Sequence, residues 1–236
     1  MGLIFKPMSI ISLKNITKTF RDAPTLNSIS LDLQEGKITS LLGDSGSGKT
    51  TILRLIAGLE RPTTGEIFIS NRLVTQDKKI IIPPSQREIG FIFQDLALWS
   101  HLSVYENIAF GLKLKKSKNI EKEVLEILEF FGILKYRYAY PNQISGGQQQ
   151  LVAIARSLVL KPKILLMDEP LSNLDIHLKD KMREQIRELR DKFQVTIVYV
   201  THDHGEAFAL ADEIVIVEGG KVRKLSAKSD NIRKKE

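Results

Sequence analysis

The chain has 236 residues, 42% hydrophobic and 27% charged, which is long enough for one substantial core and excludes disordered and fibrous proteins. It has no cysteine, which excludes disulfides, thiolate metal sites and cysteine nucleophiles. Of the net charge of +7, residues 221–236 supply +5, because seven basic residues stand there against two acidic ones. We expect this basic stretch to be solvated, although RNA and anionic lipid are alternative contacts.

Membrane-spanning and secreted classes are disfavoured by the lengths of the apolar runs. Runs such as Ile164–Met167 and Ile214–Val217 are far shorter than the ~20 residues that a spanning helix needs. The amino-terminal region lacks the basic and apolar parts of a secretory signal. We therefore expect a cytoplasmic protein.

In chain order, the pattern predicts an α/β core with two additions. Loose alternation at Ser9–Asn15 and Ser28–Leu33 indicates a small antiparallel β flap. Buried parallel strands are predicted at four apolar runs: Ile38–Leu42, Ile164–Met167, Val195–Val200 and Ile214–Val217. Between them, helical spacing from Ile120 to Phe131 and a capping-box spacing at Ser145 and Gln148 predict a helical insert. We predict a core from residues 1–93 and 162–225, an insert over 94–161, and a basic tail over 226–236.

A phosphate-binding loop is the strongest local signal. Residues Gly43-Asp44-Ser45-Gly46-Ser47-Gly48-Lys49-Thr50 match the pattern G-x-x-x-x-G-K-[ST] and follow the predicted strand Ile38–Leu42. The glycines let backbone N–H groups converge on phosphate oxygens, and a helix predicted at Thr51–Leu59 points its positive end at them. Lys49 would neutralise phosphate charge, Thr50 would ligate Mg²⁺, and Thr51 would also contact the nucleotide.

Three further polar positions follow predicted strands. Asp168 and Glu169 end a strongly apolar strand, where Asp168 is suited to Mg²⁺ and Glu169 to activating a water molecule. His202 follows the next strand, at a position from which it can donate a hydrogen bond to a γ-phosphate oxygen. Gln94 follows the apolar run Ile89–Phe93 and can reach Mg²⁺ or its water.

A second anion site is predicted about a hundred residues from the first. Ser145, Gly146, Gly147 and Gln148 open a helix of the insert, where a hydroxyl and free N–H groups bind anions. One phosphate chain does not need two distant sites. We therefore expect this one to serve the nucleotide of a second copy, in a two-fold symmetric pair.

Taken together, the motifs over roughly residues 9–225 resemble the ATP-binding subunits of ABC (ATP-binding cassette) transporters. The matches are, in order, the first phosphate motif Gly43–Thr50, the Q-loop Gln94, the signature Ser145–Gln148, the second phosphate motif Ile164–Glu169, the D-loop Leu171–Asp175, and the switch His202. By resemblance, Phe20 stacks on adenine, although tyrosine is usual there, and Asp175 contributes to the nucleotide site. The resemblance implies ATP and Mg²⁺ as ligands.

Three positions depart from the family pattern. Ile144 replaces leucine, and we expect that swap to be silent. Leu151 replaces a common arginine, which removes a positive charge and places turnover in question. Ser100 replaces proline in Phe93–Leu102, a stretch that most resembles importers of sugars, polyamines, ferric iron and oxyanions. Many of those continue into a regulatory carboxyl-terminal domain, for which this sequence ends too early at Glu236.

The resemblance implies an ATPase that powers solute transport from the inner face of the membrane, and it favours import as the direction. Its implied partners are a second copy or a paralogous ATPase subunit, transmembrane permease subunits, and indirectly a solute-binding protein. Leu96, Leu98, Trp99 and Leu102 form an apolar stretch that either contacts the permease or packs in the core. Two alternatives stay open: a soluble ABC ATPase acting on nucleic acid or ribosomes, and an exporter or lipid-extraction ATPase. We expect no nucleic-acid partner, because there is one cassette and a short insert.

Overall fold

The computed structural model describes residues 9–20, 23–172 and 174–226. Two sheets and six helices make up this part of the chain. The strands are β1 (Ser9–Phe20), β2 (Ala23–Gln34), β3 (Ile38–Leu42), β4 (Thr64–Ile69), β5 (Arg72–Gln76), β6 (Lys79–Ile80), β7 (Ile89–Ile92), β8 (Ile164–Asp168), β9 (Thr196–Thr201), β10 (Glu213–Glu218) and β11 (Lys221–Ser226). The helices are α1 (Lys49–Ala57), α2 (Val104–Leu114), α3 (Ile120–Phe130), α4 (Gly146–Leu158), α5 (Ile176–Phe193) and α6 (His204–Leu210).

The central sheet has six strands in the order β11-β10-β3-β9-β8-β7. All neighbours are parallel except β11, which pairs antiparallel with β10 at the edge. Every residue of β3, β8 and β9 is buried, which explains why these strands are continuous apolar runs in the sequence. The predicted α/β class with a mainly parallel sheet is therefore confirmed.

The second sheet is antiparallel, with the order β2-β1-β4-β5-β6. It is larger than the predicted flap, because β1 and β2 have 12 residues each and three further strands join them. Register shifts interrupt the β1–β2 pairing, and Asn15 and Ser28 have φ angles of 51° and 49°. These bulges break the two-residue alternation, so the sequence marked only parts of both strands.

Helices α2, α3 and α4 lie within the predicted insert, between β7 and β8. The largest apolar cluster includes residues of all three helices together with residues of β8, β9 and α5. The insert and the central sheet therefore share one core. The exact boundaries at residues 93–94 and 161–162 stay a prediction.

Two predicted features fall partly outside the described residues. The basic stretch contributes Lys221, Arg223 and Lys224 to β11, whereas residues 227–236 lie outside, and so does Asn173 of the predicted D-loop. Within the described ranges, none of the helices combines the length and the apolar character that crossing a bilayer requires.

Candidate functional site

The predicted site residues follow strands that end at one edge of the central sheet. Strands β3, β9, β8 and β7 are neighbours and run parallel, so their carboxyl ends lie side by side. The phosphate-binding loop follows β3, His202 follows β9, and Glu169 follows β8. Gln94 stands two residues after β7. The edge of an open α/β sheet is the place where such folds bind ligands.

The loop after β3 has the backbone that close approach to an anion requires. Gly46 and Gly48 have φ angles of 80° and 105°, which favour glycine. A Cβ atom on Gly43 would lie 2.1 Å from the Val217 carbonyl oxygen. The Ser47 hydroxyl oxygen is buried, and no described residue hydrogen-bonds to it. This loop therefore keeps an unused polar atom as well as free backbone donors, which suits a phosphate ligand.

Lys49 is the first residue of α1, and its side chain turns back into the loop. Its Nζ donates to the carbonyl oxygens of Gly43 and Asp44, each at 2.7 Å. Burial lowers the pKa of this ammonium from its ordinary value, although the charges of Glu169, Asp168 and Asp44 oppose the shift. A buried cation held only by carbonyl oxygens would gain from an anion in the loop.

Thr50 and Asp168 meet across the edge of the sheet. Thr50 Oγ1 donates a hydrogen bond of 2.8 Å to Asp168 Oδ1. Burial raises the pKa of Asp168 above its ordinary value, while the bond from Thr50 lowers it and the charge of Glu169 raises it further. A hydroxyl and a carboxylate at this distance are oxygen donors of the kind that Mg²⁺ takes. The residues present therefore fit a magnesium ion.

Glu169 and His202 form the other half of the edge. His202 Nδ1 lies 3.3 Å from Glu169 Oε2, the carboxylate side chain being 17% exposed and the imidazole 54%. Glu169 has a φ angle of 45°, a strained conformation for a residue with a side chain. Its N–H donates to the Val200 carbonyl oxygen at 3.2 Å, which fixes the strained residue against β9.

Seven of the predicted nucleotide-binding residues line one cavity of about 430 Å³. Phe20, at the end of β1, is 43% exposed, and the Lys18 ammonium lies 4.4 Å from the centre of its ring. The cavity is lined by Phe20, Thr25, Ser45, Gly46, Gly48, Lys49, Thr50, Thr51, Gln94 and Glu169. An aromatic wall, a phosphate-binding loop and a carboxylate therefore face one space.

The signature residues lie elsewhere. Ser145 caps α4: its Oγ accepts from Gln148 N at 3.3 Å and Gln148 Oε1 accepts from Ser145 N at 2.9 Å, as the spacing predicted. Ser145, Gly147 and Gln148 line a separate cavity of about 150 Å³ against α5. Asp175 caps α5, is exposed, and is absent from the 430 Å³ cavity. One chain does not bring these residues to its own phosphate-binding loop.

The substitutions at the signature helix have a packing explanation. Leu151 is 9% exposed and Ile144 is 8% exposed, and both belong to the main apolar cluster. Leu151 also lines the cavity beside Lys181, so a cation from α5 already lies next to this helix. The effect of Leu151 on turnover stays a prediction.

Sequence reasoning missed a buried polar network behind His202. Glu206 is 4% exposed and accepts hydrogen bonds of 2.8 Å from Tyr199 Oη and from Thr201 Oγ1. Its other oxygen lies 2.8 Å from Lys179 Nζ on α5. Burial raises the pKa of Tyr199, with the charge of Glu206 in support. A tyrosine within the buried strand β9, followed seven residues later by glutamate, was the available signal.

A groove of about 640 Å³ is lined in part by Ala97 and Trp99, in the loop that follows Gln94. Its apolar lining includes Phe91, Phe93, Trp99, Phe110 and Leu114, and Leu114 is 72% exposed. Of the apolar stretch predicted to contact a partner, Trp99 lines the groove, whereas Leu96 and Leu98 pack against the core. Helix α2 supplies the most exposed apolar side chains of this groove.

Comparison with protein families identifies a match over residues 26–172 to the family described as ABC transporter. The chain is 48% identical over 219 residues to the Fe(3+) ions import ATP-binding protein FbpC of Vibrio cholerae, covering 92% of this chain and 61% of the relative. It is 46% identical to the probable sulfate/thiosulfate import ATP-binding protein CysA of Chlorella vulgaris, covering 91% of this chain and 89% of the relative. The chain spans about three fifths of the length of the FbpC relatives.

Solved structures agree with this match. The ATP-binding cassette MJ0796, in a dimeric post-hydrolysis state with ADP and Pi, superposes with a TM-score of 0.82 at 33% identity, covering 93% of this chain and all of that one. The cbiO1 subunit of the transporter complex cbiONQ from Clostridium perfringens gives a TM-score of 0.85 at 29% identity, covering 93% of this chain and 89% of that one.

Proposed function

Because the chain belongs to the ABC transporter family, we propose that it is the ATP-hydrolysing subunit of a transporter and powers solute import. The observation that carries this proposal is the single sheet edge on which the phosphate-binding loop, the Thr50–Asp168 pair and the Glu169–His202 pair lie together. A nucleotide-binding loop beside a carboxylate and an imidazole is an arrangement for hydrolysing a phosphoanhydride.

Each residue at this edge has a proposed role. Glu169 is the general base, because its carboxylate faces the cavity and the adjacent imidazole can hold it in place. Lys49 and the loop N–H groups bind the β- and γ-phosphates, and Phe20 stacks on the adenine. His202 donates a hydrogen bond to the γ-phosphate. Thr50, Asp168 and Gln94 would hold Mg²⁺, which supplies charge neutralisation on the phosphate oxygens when it is bound.

We propose that two copies complete each site. The 430 Å³ cavity beside the phosphate-binding loop is not lined by Ser145, Gly147 or Asp175. Ser145 nevertheless caps the amino-terminal end of α4, and such a helix end binds anions. A head-to-tail pair related by a two-fold axis would bring this end to the partner's nucleotide. The dimeric state of the similar cassette MJ0796 supports this arrangement.

Coupling to transport would use the groove beside Trp99. A concave apolar surface with exposed Phe110 and Leu114 suits a short helix of a transmembrane permease. The import relatives and the cbiONQ transporter complex support a partner within a transporter, which we propose to be a permease. A peripheral place on the inner membrane face and an indirect link to a solute-binding protein would follow from that partner.

Glu169→Gln tests the proposed chemistry. The amide keeps the shape of the side chain but cannot accept a proton, so turnover should fall by ~10²–10⁴-fold while ATP still binds. ATP-bound dimer should then accumulate on size-exclusion chromatography. Glu88→Gln is a matched control, because Glu88 is exposed and pairs with Lys163 away from the nucleotide cavity. Full turnover in Glu169→Gln would remove this residue from the mechanism.

A dilution series tests the shared site. Specific activity of the full chain should fall as concentration drops below the dimer dissociation constant, because neither copy alone has a complete site. Unchanged specific activity at concentrations where only monomer is present would refute the two-copy arrangement.

A further inference from the structure

The segment after Gln94 contains an unusual turn. Leu96 and Ala97 have φ angles of 60° and 45°, so two consecutive residues with side chains adopt the left-handed conformation. Such residues are strained and persist where surrounding contacts hold them. The turn separates Gln94, which lines the nucleotide cavity, from Trp99, which lines the 640 Å³ groove.

One arginine holds this turn. Arg156, in the last turn of α4, donates from Nη1 to the Ala97 carbonyl oxygen at 2.6 Å and from Nη2 to the Leu96 carbonyl oxygen at 2.8 Å. Its guanidinium also stacks 4.8 Å from the Trp99 ring. Two carbonyl oxygens at this spacing match the planar fork of a guanidinium, which the point charge of lysine cannot reproduce.

The far end of the segment has a second anchor. Asn107, fully buried on α2, accepts from Trp99 N at 3.0 Å and donates to the carbonyl oxygens of Trp99 and Leu102 at 3.1 and 3.0 Å. The segment is therefore fixed to α4 at Leu96–Ala97 and to α2 at Trp99–Leu102. Gln94 and Asp95, which are exposed, connect these anchors to β7.

We propose that Arg156 is a positioning residue that sets the place of Gln94 by holding the Leu96–Ala97 turn on the helix that begins at Ser145. This inference rests on the proposed function, in which Gln94 acts in the nucleotide cavity. Helix α4 has 13 residues, about 20 Å at 1.5 Å per residue, with Ser145 at one end and Arg156 near the other. A displacement of α4 on nucleotide binding would therefore carry the turn, and with it Gln94.

Burial supports the assignment of a dedicated role to this cation. Desolvation lowers the pKa of Arg156, and the nearby charge of Asp95 partly offsets that shift. In the described residues, Arg156 has no carboxylate within ion-pair distance, so its charge is used on the two carbonyl oxygens and the indole. An arginine kept only for surface charge would not be held in this way.

Trp99 is the only tryptophan in the chain, so its fluorescence reports directly on this segment. The test uses the full chain with Glu169→Gln to retain ATP, and measures ATP affinity separately with a fluorescent ATP analogue. ATP should change the Trp99 emission when Arg156 is present and fail to do so in Arg156→Lys, at unchanged ATP affinity. Arg190→Lys is the matched control, since Arg190 pairs with Asp191 and Asp212 rather than with the segment after Gln94, and should keep the response.

Turnover is measured in the chain with Glu169 intact. Arg156→Lys should lower kcat about tenfold or more, equivalent to ~1.4 kcal/mol per tenfold, with little change in the KM for ATP. Arg190→Lys should leave both constants unchanged. A loss that came only from reduced folding would lower the active fraction without abolishing the ATP response of the folded molecules.

A rescue variant tests the cause. Ala97→Gly relieves the strain at a φ of 45°, so Ala97→Gly with Arg156→Lys should recover part of kcat and of the Trp99 response. If Arg156 served only to fill space, glycine would remove further contacts and give no recovery. The rescue pair also decides the matter if Arg156→Lys alone is less stable than the unmodified chain.

The failures are distinguishable. Absence of ATP binding to the unmodified chain would refute the proposed function itself. ATP binding without any change in Trp99 emission, or a full response and full kcat in Arg156→Lys, would overturn the role of Arg156 while leaving ATP hydrolysis intact.

Discussion

Replacing Arg87 with alanine should destabilise the fold strongly, because this arginine joins three parts of the core. Arg87 is 3% exposed and stands just before β7. Its Nε donates to Ile82 O at 2.9 Å and its Nη1 to Leu55 O and Ile56 O at 3.3 and 2.7 Å, at the carboxyl end of α1. Its Nη2 donates to Val74 O and Thr75 Oγ1 at 3.1 and 2.7 Å, on β5.

The size of the effect follows from the acceptors left behind. Burial lowers the pKa of Arg87 to about 10, so the guanidinium remains charged at neutral pH. Alanine would leave the carbonyl oxygens of Ile56 and Ile82 without a donor, whereas Leu55 O still accepts from Gly58 N and Val74 O from Ile81 N and Ile82 N. Each unsatisfied buried acceptor costs ~1–3 kcal/mol. Two such acceptors give an expected loss of ~2–6 kcal/mol in the free energy of unfolding.

Urea denaturation followed by Trp99 fluorescence measures this loss. The midpoint should fall with an unchanged slope if the transition stays two-state. Arg72→Ala is the control, because Arg72 is an exposed arginine on β5 and should change stability by less than ~0.5 kcal/mol. A loss below ~1 kcal/mol for Arg87→Ala would refute the view that these carbonyl contacts hold α1, β5 and β7 together.

Two further predictions concern the site edge. Burial lowers the pKa of Lys49 below 10.5, so just below that pH the unfolded chain binds more protons than the folded one and stability rises with pH there. Urea titrations across this pH window should show the rise in stability in the unmodified chain and not in Lys49→Met. The ATP affinity of the unmodified chain should fall over the same pH range. Identical stability profiles for the unmodified chain and Lys49→Met would contradict the burial argument. Glu206→Gln should lower stability by ~1–3 kcal/mol, because it leaves the Lys179 ammonium without its closest carboxylate, whereas exposed Glu184→Gln should be neutral by the same measurement. Equal stabilities for these two variants would show that the Lys179 contact contributes nothing.

The parts of the fold that the sequence predicted are those governed by local chemistry. β3 and β8 are short apolar runs between polar residues, and burial on both faces produces that pattern. The loop at Gly43–Thr50 and the cap at Ser145 are specified by residues within a few positions of one another. The sheet order then brings Glu169 and His202 together, as expected for parallel strands.

The parts that the sequence did not reveal depend on distant pairings. Arg87 bonds residues 5 to 32 positions away, and Arg156 bonds carbonyl oxygens 59 and 60 positions away. A backbone carbonyl oxygen has no sequence signature, so these partners become visible only in the folded chain. The strands β4 to β6 were missed for a different reason: they are short and mixed in polarity, and β6, at the edge of the sheet, has only two residues.

The apolar cluster shared by the insert and the central sheet bears on how freely the insert can be exchanged. Val152, Ile154 and Leu158 of α4 belong to the same cluster as Leu165 and Met167 of β8. Residues 94–161, excised or grafted onto an unrelated scaffold, would carry this apolar face into water. The insert is therefore not a portable module, and a substitution on its inner face has to be compatible with the side chains of the sheet beneath it.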